Sequence, residues 1–212
     1  MEDQQRYWND HCAEKTFTSF FMLDAFRRHV PAESLILDFG CGYGRTLAEL
    51  RDAGYTRLTG IDFADSLIER GRREHPGLNL AAWPGGRLPY GDDAFDAALM
   101  LGVLTCMPET RAQAEALLEV KRVLKPGGIL YVNDFLLNRD KRNLDRYRDG
   151  KRKYGIYGIF DSGDGGILRH HDRNHMEALF FDFETLTFEE LTFPTMHGHE
   201  SAGFYALLRM PF

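Results

Sequence analysis

The run Asp38-Phe39-Gly40-Cys41-Gly42-Tyr43-Gly44 holds the most specific chemistry in the chain. Glycines at 40, 42 and 44 permit left-handed backbone angles and let a ligand approach the main chain. A strand before them, Ser34–Phe39, and a helix after them, Arg45–Ala53, would turn the helix N–H groups toward that ligand. In the dinucleotide fingerprint the third glycine falls three residues after the second; here that position is Arg45. Asp38 would repel a pyrophosphate, whereas a ligand carrying an ammonium group gains from a carboxylate there. Asp62 follows the next strand, Arg57–Ile61. An acidic residue there can accept the hydroxyls of a ribose, or it can cap the helix Asp65–Glu74.

A second set of reactive side chains lies in the last third: Tyr154, Tyr157, His170, His171, His175, Met196, His197 and His199, with Lys15, Thr16 and Phe17 near the start. His170-His171 suits a general base, His171 foremost. Tyr154, Tyr157, His197 and His199 would line a substrate pocket. The plain alternative is that these are helix caps and loop polar residues. Adjacent histidines seldom chelate one ion, and the three cysteines form no CxxC pair, so no metal site is expected. Arg139, Lys141, Arg142 and Arg169 could attract an acidic small molecule.

Strand and helix patterns alternate along the chain, as in a parallel sheet covered by helices. Gln4–His29 carries aromatic and apolar residues at roughly helical spacing, and Pro31 closes it. Leu78–Ala82, Phe95–Leu101 and Ile129–Asp134 read as further buried strands, and Thr110–Leu124 as a helix. Asn138–Lys153 reads as a solvated helix, Tyr154–His171 as a loop or small hairpin, and Asp172–Phe181 as a helix. Phe183–Phe193 and Phe204–Met210 read as two antiparallel strands. A single domain over 1–212 is expected, with 1–33 as a helical cap and 138–175 as an insertion shaping the substrate pocket.

Four segments together resemble the class I S-adenosylmethionine (SAM)-dependent methyltransferases. Leu35–Arg45 resembles their first motif and Gly60-Ile61-Asp62-Phe63-Ala64 their acidic second motif. Leu88-Pro89-Tyr90 with Phe95-Asp96-Ala97-Ala98 is similar to the segment before their fourth strand. Val123-Leu124-Lys125-Pro126-Gly127-Gly128-Ile129-Leu130 is similar to the entry to their fifth. The segments fall in family order and cover roughly 35–134.

The resemblance implies an α/β, doubly wound, Rossmann-like sheet of seven strands, order 3-2-1-4-5-7-6 with strand 7 antiparallel and helices on both faces. It implies that Asp38, Phe39, Gly40, Cys41, Gly42 and Gly44 hold the amino-acid end of SAM and Asp62 its ribose. Phe63 would pack beside the adenine, and Leu101 and Gly102 would lie near the sulfonium. Many relatives place an Asp where this chain has Pro84, so adenine would be met by backbone, as at Gly85. Trp83 would stack on adenine or plug the site as a hydrophobe.

The expected activity is therefore methyl transfer from SAM to a small-molecule acceptor, leaving S-adenosylhomocysteine. The alternatives are a SAM-binding protein without methyl transfer, a protein or RNA methyltransferase, and a nicotinamide-dependent oxidoreductase. The net charge of −6 and pI of about 5.8 disfavour a nucleic-acid partner. The first residues lack signal-peptide character, and the longest apolar stretch, 97–104, is too short to span a bilayer. A cytoplasmic monomer or homodimer, without membrane attachment, is expected.

Overall fold

A computed structural model of the chain describes residues 2–195 and 198–212. The short apolar runs form strands β1 (Ile36–Phe39), β2 (Leu58–Asp62), β3 (Asn79–Ala82), β4 (Phe95–Leu101) and β5 (Leu124–Phe135). The polar amphipathic runs between them form α3 (Arg45–Asp52), α4 (Asp65–Glu74) and α5 (Thr110–Val123), preceded by α1 (Glu2–His11) and α2 (Leu23–Arg27). After β5 come α6 (Lys141–Tyr154), β6 (Ile159–Asp161), β7 (Ile167–Arg169), α7 (Arg173–Leu179), β8 (Glu184–Pro194) and β9 (Glu200–Arg209).

The main sheet has the order β3-β2-β1-β4-β5-β9-β8. The first five strands run parallel, and β9 pairs antiparallel with both β5 and β8. With β8 and β9 counted as the sixth and seventh strands, this is the order 3-2-1-4-5-7-6 expected from the resemblance.

Successive strand residues face opposite sides of a sheet. Leu37, Ala98, Met100, Leu130 and Val132 enter one core, with Val120 and Val123 of α5 and Met176 of α7. Ile36, Ala97, Leu99, Ile129 and Tyr131 enter the other, with Phe26 of α2, Leu47 and Leu50 of α3, and Ile68 of α4. Strands covered on both faces read as near-continuous apolar runs, so their direction follows from the crossover helices.

The expected N-terminal helix over Gln4–His29 breaks into α1 and α2, with residues 12–22 outside any helix. Its aromatics do not form one stripe. Phe17 packs on Tyr43, Phe20 on Phe193 and Phe21 on Tyr131, three partners far apart in the chain. Each ring gains more from a separate socket than from a shared helix face.

The expected solvated helix at 138–153 is α6, capped by Asp140, whose side chain accepts the Asn143 N–H at 3.1 Å. It is not solvated throughout: Tyr147, Asn143 and Gly150 are buried against the β6–β7 hairpin. A Cβ at Gly150 would lie 1.7 Å from the Ile159 carbonyl oxygen. Gly150→Ala is therefore expected to pry α6 from the hairpin and cost about 3 kcal/mol. Chemical denaturation of wild type and variant checks this; equal midpoints would contradict the close approach.

Candidate functional site

β1 lies between β2 and β4, which places Asp38 in register with Gly60 on one side and Leu99 on the other. The chain then turns sharply. Gly40, Gly42 and Gly44 have φ of +75°, +54° and +79°, the left-handed region that only glycine enters without strain. The turn is fastened to the end of β2: the Ile61 carbonyl accepts the N–H groups of Gly40 and Cys41 at 2.8 and 2.9 Å. Asp62 completes the fastening. One carboxylate oxygen accepts the Gly42 N–H at 2.8 Å and the other accepts the Ala64 N–H at 2.9 Å.

Two carboxyl groups are thus buried at adjacent strand ends, Asp38 at 2% exposure and Asp62 at 6%. Burial pushes Asp62 up, partly offset by the N–H groups of Ala64, Gly42 and Phe63. Asp38 is pushed up to about 7, by burial first and then by the charge of Asp62. Arg45 opposes that shift from a distance, but its guanidinium is engaged by the Ser19 carbonyl and lies 4.0 Å from Glu49. Asp38 is a buried carboxyl group whose ionised form would gain from a cation.

Above the carboxyl ends of the strands lies a cavity of about 1200 Å³. Ligand pockets commonly span roughly 300–1,000 Å³, so there is room for a cofactor and a second molecule. Of the residues expected to hold the cofactor, Asp38, Phe39, Gly40, Cys41, Asp62, Phe63, Trp83, Gly85, Leu101 and Gly102 border it. Gly42 and Gly44 do not, which corrects their expected role. The Phe17 ring sits where a Gly42 Cβ would be, and Gly44 is the N-cap of α3 against Leu78 and Leu80. Those two glycines shape the turn. Trp83 meets Phe39 edge to face at 5.3 Å between ring centroids.

The cavity is roofed by residues of the expected N-terminal cap. Gln4, Gln5, Tyr7 and Trp8 of α1 border it. The Gln5 amide donates to the Phe63 carbonyl at 2.9 Å, and the Gln4 amide to the Ile167 carbonyl at 2.6 Å. Tyr7 donates to Asp164 at 2.9 Å, and Lys15 pairs with the same carboxylate. α1 therefore bridges from the glycine-turn side of the cavity to the β6–β7 hairpin.

A family model described as "Methyltransferase domain" matches residues 37–132, from β1 to β5. A solved SAM-dependent methyltransferase from Methanosarcina mazei superposes with a TM-score of 0.83 at 27% identity, covering 92% of this chain and 99% of that one. Residues 37–132 form a methyltransferase domain, and the whole chain has the fold of a SAM-dependent methyltransferase. A demethylmenaquinone methyltransferase of Beutenbergia cavernae is 34% identical over 101 residues, 47% of this chain and 40% of that protein. A 27-O-demethylrifamycin SV methyltransferase of Amycolatopsis mediterranei is 27% identical over 157 residues, 70% of this chain and 57% of that protein. The chain spans about two fifths of the length of the first of these two relatives, and the match rests on the cofactor half of the fold.

The family's cofactor is SAM, and the residues present fit it. Asp38 is a buried carboxyl group without a cation, beside a glycine turn that leaves main chain open to the cavity.

The candidates of the last third separate. His171 is buried at 1% exposure and does not border the cavity. Its Nε2 meets the Gln113 amide at 2.8 Å and its Nδ1 faces the Phe135 carbonyl at 3.2 Å, so both nitrogens are in use. Burial, with the Arg169 charge second, holds its pKa down to about 3. This corrects the general-base expectation: His171 is a structural link between β5, α5 and the segment before α7. His170 does border the cavity, but its Nδ1 already receives the Tyr147 hydroxyl at 2.6 Å and the Asn138 amide at 3.2 Å. The neutral ring then carries its proton on Nε2 and donates rather than accepts. It too is corrected as a base.

Tyr154 and Tyr157 lie outside the cavity, a further correction. The Tyr154 hydroxyl donates to Asp161 on the outer side of the hairpin at 2.6 Å, and Tyr157 is exposed. His199 borders the cavity, and His197 lies outside the described residues. Arg169 is buried and serves the Pro108 carbonyl and the Thr110 hydroxyl.

Because the unfolded His171 takes up a proton near pH 6.5 and the folded one near 3, the unfolded state binds more protons between those values. This residue therefore removes stability as pH falls below 6.5, by up to about 1.4 kcal/mol per pH unit. His171→Gln is expected to reduce that slope in denaturation measurements from pH 7 to 5; an unchanged slope would mean the histidine titrates freely.

Proposed function

We propose that the chain transfers a methyl group from SAM to a small-molecule acceptor held in the same cavity. The observation that carries this reading is Asp38, a buried carboxyl group raised to about 7 and placed beside the glycine turn. An α-ammonium group would stabilise its ionised form. Asp62 keeps lone pairs beyond the two N–H groups it accepts, and these would take the ribose hydroxyls. Phe63 and Trp83 would flank the adenine, with the Gly85 main chain at its edge. Leu101 and Gly102 would bound the reacting end.

Bound SAM supplies an electrophilic methyl carbon. The protein's part is to hold the acceptor in line with it and to exclude water, and positioning alone can supply effective molarities of roughly 10⁵–10⁸ M. The residues from 138 to 175 would shape the acceptor's side of the cavity through Arg146, Phe160, Leu168 and His170. No helix among the described residues is long and apolar enough to cross a membrane. The free cysteines Cys12, Cys41 and Cys106 support a reducing, cytoplasmic setting. A SAM-binding role without methyl transfer is the second reading, favoured by Pro84 in the loop that borders the cavity.

Thermal unfolding with SAM, S-adenosylhomocysteine and NAD tests the cofactor. A ligand at 100 times its Kd adds about 2.7 kcal/mol, or roughly 5–10 °C for a chain this size. The two adenosyl ligands are expected to shift the midpoint and NAD to leave it unchanged; a shift with NAD alone would refute the reading. Transfer of label from methyl-tritiated SAM to an acceptor distinguishes catalysis from binding.

The pH dependence is sharper. Asp38 must be ionised to hold an ammonium group, and in the free protein it takes up a proton near pH 7. S-adenosylhomocysteine affinity is expected to weaken about tenfold per pH unit below 7. Asp38→Asn should bind weakly with no such slope, and calorimetric titration between pH 5.5 and 8 measures both.

A further inference from the structure

Helix α6 carries seven cations between residues 141 and 153. Lys141 and Arg148 pair with Asp145, Arg152 with Asp149, and Lys153 with Asp161, all on the solvent side. Arg142, Arg146 and Lys151 have no such partner among the described residues, and of these only Arg142 and Arg146 border the cavity. They stand one helical turn apart, the spacing at which like charges oppose each other. The Arg142 charge lowers the proton affinity of Arg146, after the larger effect of burial. Asp140, the acid at the start of the helix, spends its oxygens on the Asn143 N–H and side-chain amide.

Arg146 makes no ion pair among the described residues and rests on an aromatic ring, with the Asp140 charge acting on it only from a distance. Its guanidinium carbon lies 3.5 Å from the centroid of the Phe160 ring. Phe160 meets His170 edge to face at 4.9 Å, and His170 stacks on Phe135 at 5.3 Å, just past the buried end of β5. Arg146, Phe160, His170 and Phe135 all border the cavity. The Arg146 Nε is buried with no hydrogen-bond partner among the described residues. A buried donor left without a partner is unfavourable, and a partly desolvated guanidinium without an ion-pair partner adds to that. The Nε2–H of His170 is a further donor on the same wall.

We infer that the acceptor end of the cavity is an oxyanion subsite: Arg146, supported by Arg142 and the His170 Nε2–H, receives a carboxylate or phosphate group on a small molecule whose apolar body lies against Phe135 and Phe160. The guanidinium fork matches either oxyanion in bidentate fashion. Asp38 and Asp62 make the opposite end of the cavity acidic, so an anionic molecule is turned with its charge toward α6 and its remaining end toward the glycine turn. That the molecule is then methylated rests on the methyl-transfer reading; the subsite itself does not.

The test uses three ring-sized probes, benzoate, phenyl phosphate and the neutral benzamide, titrated calorimetrically into the full chain with and without saturating S-adenosylhomocysteine. At least one anion is expected to bind tenfold or more tightly than benzamide, and which one identifies the carboxylate or the phosphate as the group recognised. Saturation with S-adenosylhomocysteine is expected to leave that binding intact, because the two ligands occupy opposite ends. Arg146→Met should weaken the anion at least tenfold and leave benzamide unchanged, with Arg146→Lys intermediate. Should Arg146→Met fail to fold, Arg142→Met, at an exposed position, should still weaken the anion several-fold and leave S-adenosylhomocysteine affinity unchanged. Equal affinity for anion and amide, no binding of any probe, displacement by S-adenosylhomocysteine, or full anion binding in the folded variants would overturn the subsite. Failure of S-adenosylhomocysteine itself to bind would count against the methyl-transfer reading alone, since the probe titrations on the free protein are read separately.

Discussion

Everything at the ligand end of this molecule depends on one arrangement: the Asp62 carboxylate tying the Gly42 N–H to the end of β2. A turn with three left-handed glycines has little side-chain mass to hold its shape. Its geometry must come from hydrogen bonds made by its own backbone. The Ile61 carbonyl and the Asp62 carboxylate supply them, and the same carboxylate also fixes the N–H of Ala64 at the start of α4. One side chain therefore sets the relation of β1, β2 and two helices. Asp38, held between β2 and β4, inherits a position from which it cannot relax toward water. Its raised pKa follows from that confinement and from the second acid beside it.

β5 repeats the device at its own end. Asp134 is fully buried and accepts the N–H groups of Thr105 and Phe135 at 3.1 and 2.7 Å. Burial pushes it up to about 7, partly offset by those N–H groups and that of Leu104. It pins the turn of 3₁₀ helix at Leu104–Cys106 that borders the cavity. Buried carboxyl groups at the strand ends thus do two kinds of work. Asp62 and Asp134 order the backbone around the site, and Asp38 faces what enters it.

The cofactor half was legible in the sequence because its constraints are local. A glycine at φ +75° or an acid at a strand end leaves its mark within a few residues, and the strand order was implied by the family resemblance that those local segments carry. The acceptor half was not, because its contacts join distant segments. Phe17 looked like part of a helical stripe and is a plug over Gly42. His171 looked like a reactive side chain and is consumed by Gln113 and Phe135, neither of which is near it in sequence. Tyr154 ends α6 and Tyr157 lies between α6 and the right hairpin, but both are outside the cavity. Arg142 was read as able to attract an acidic small molecule and Arg146 was not; what sets the two apart from the other charges on α6 is that they lack a carboxylate partner and also border the cavity.

The roof formed by α1 gives the cavity a shared doorway. The same helix is tied to Phe63 beside the glycine turn and, through Gln4 and Tyr7, to the hairpin at the far end, where Lys15 just after the helix also pairs with Asp164. A molecule entering or leaving by that side must loosen contacts that also close over its neighbour. Two ligands held there would therefore not exchange independently: each residence time would include the cost of lifting a strap seated over both. Because the Lys15–Asp164 pair is only partly shielded from water, that latch is sensitive to ionic strength, and the solvent conditions outside the molecule help set the tempo of traffic within it.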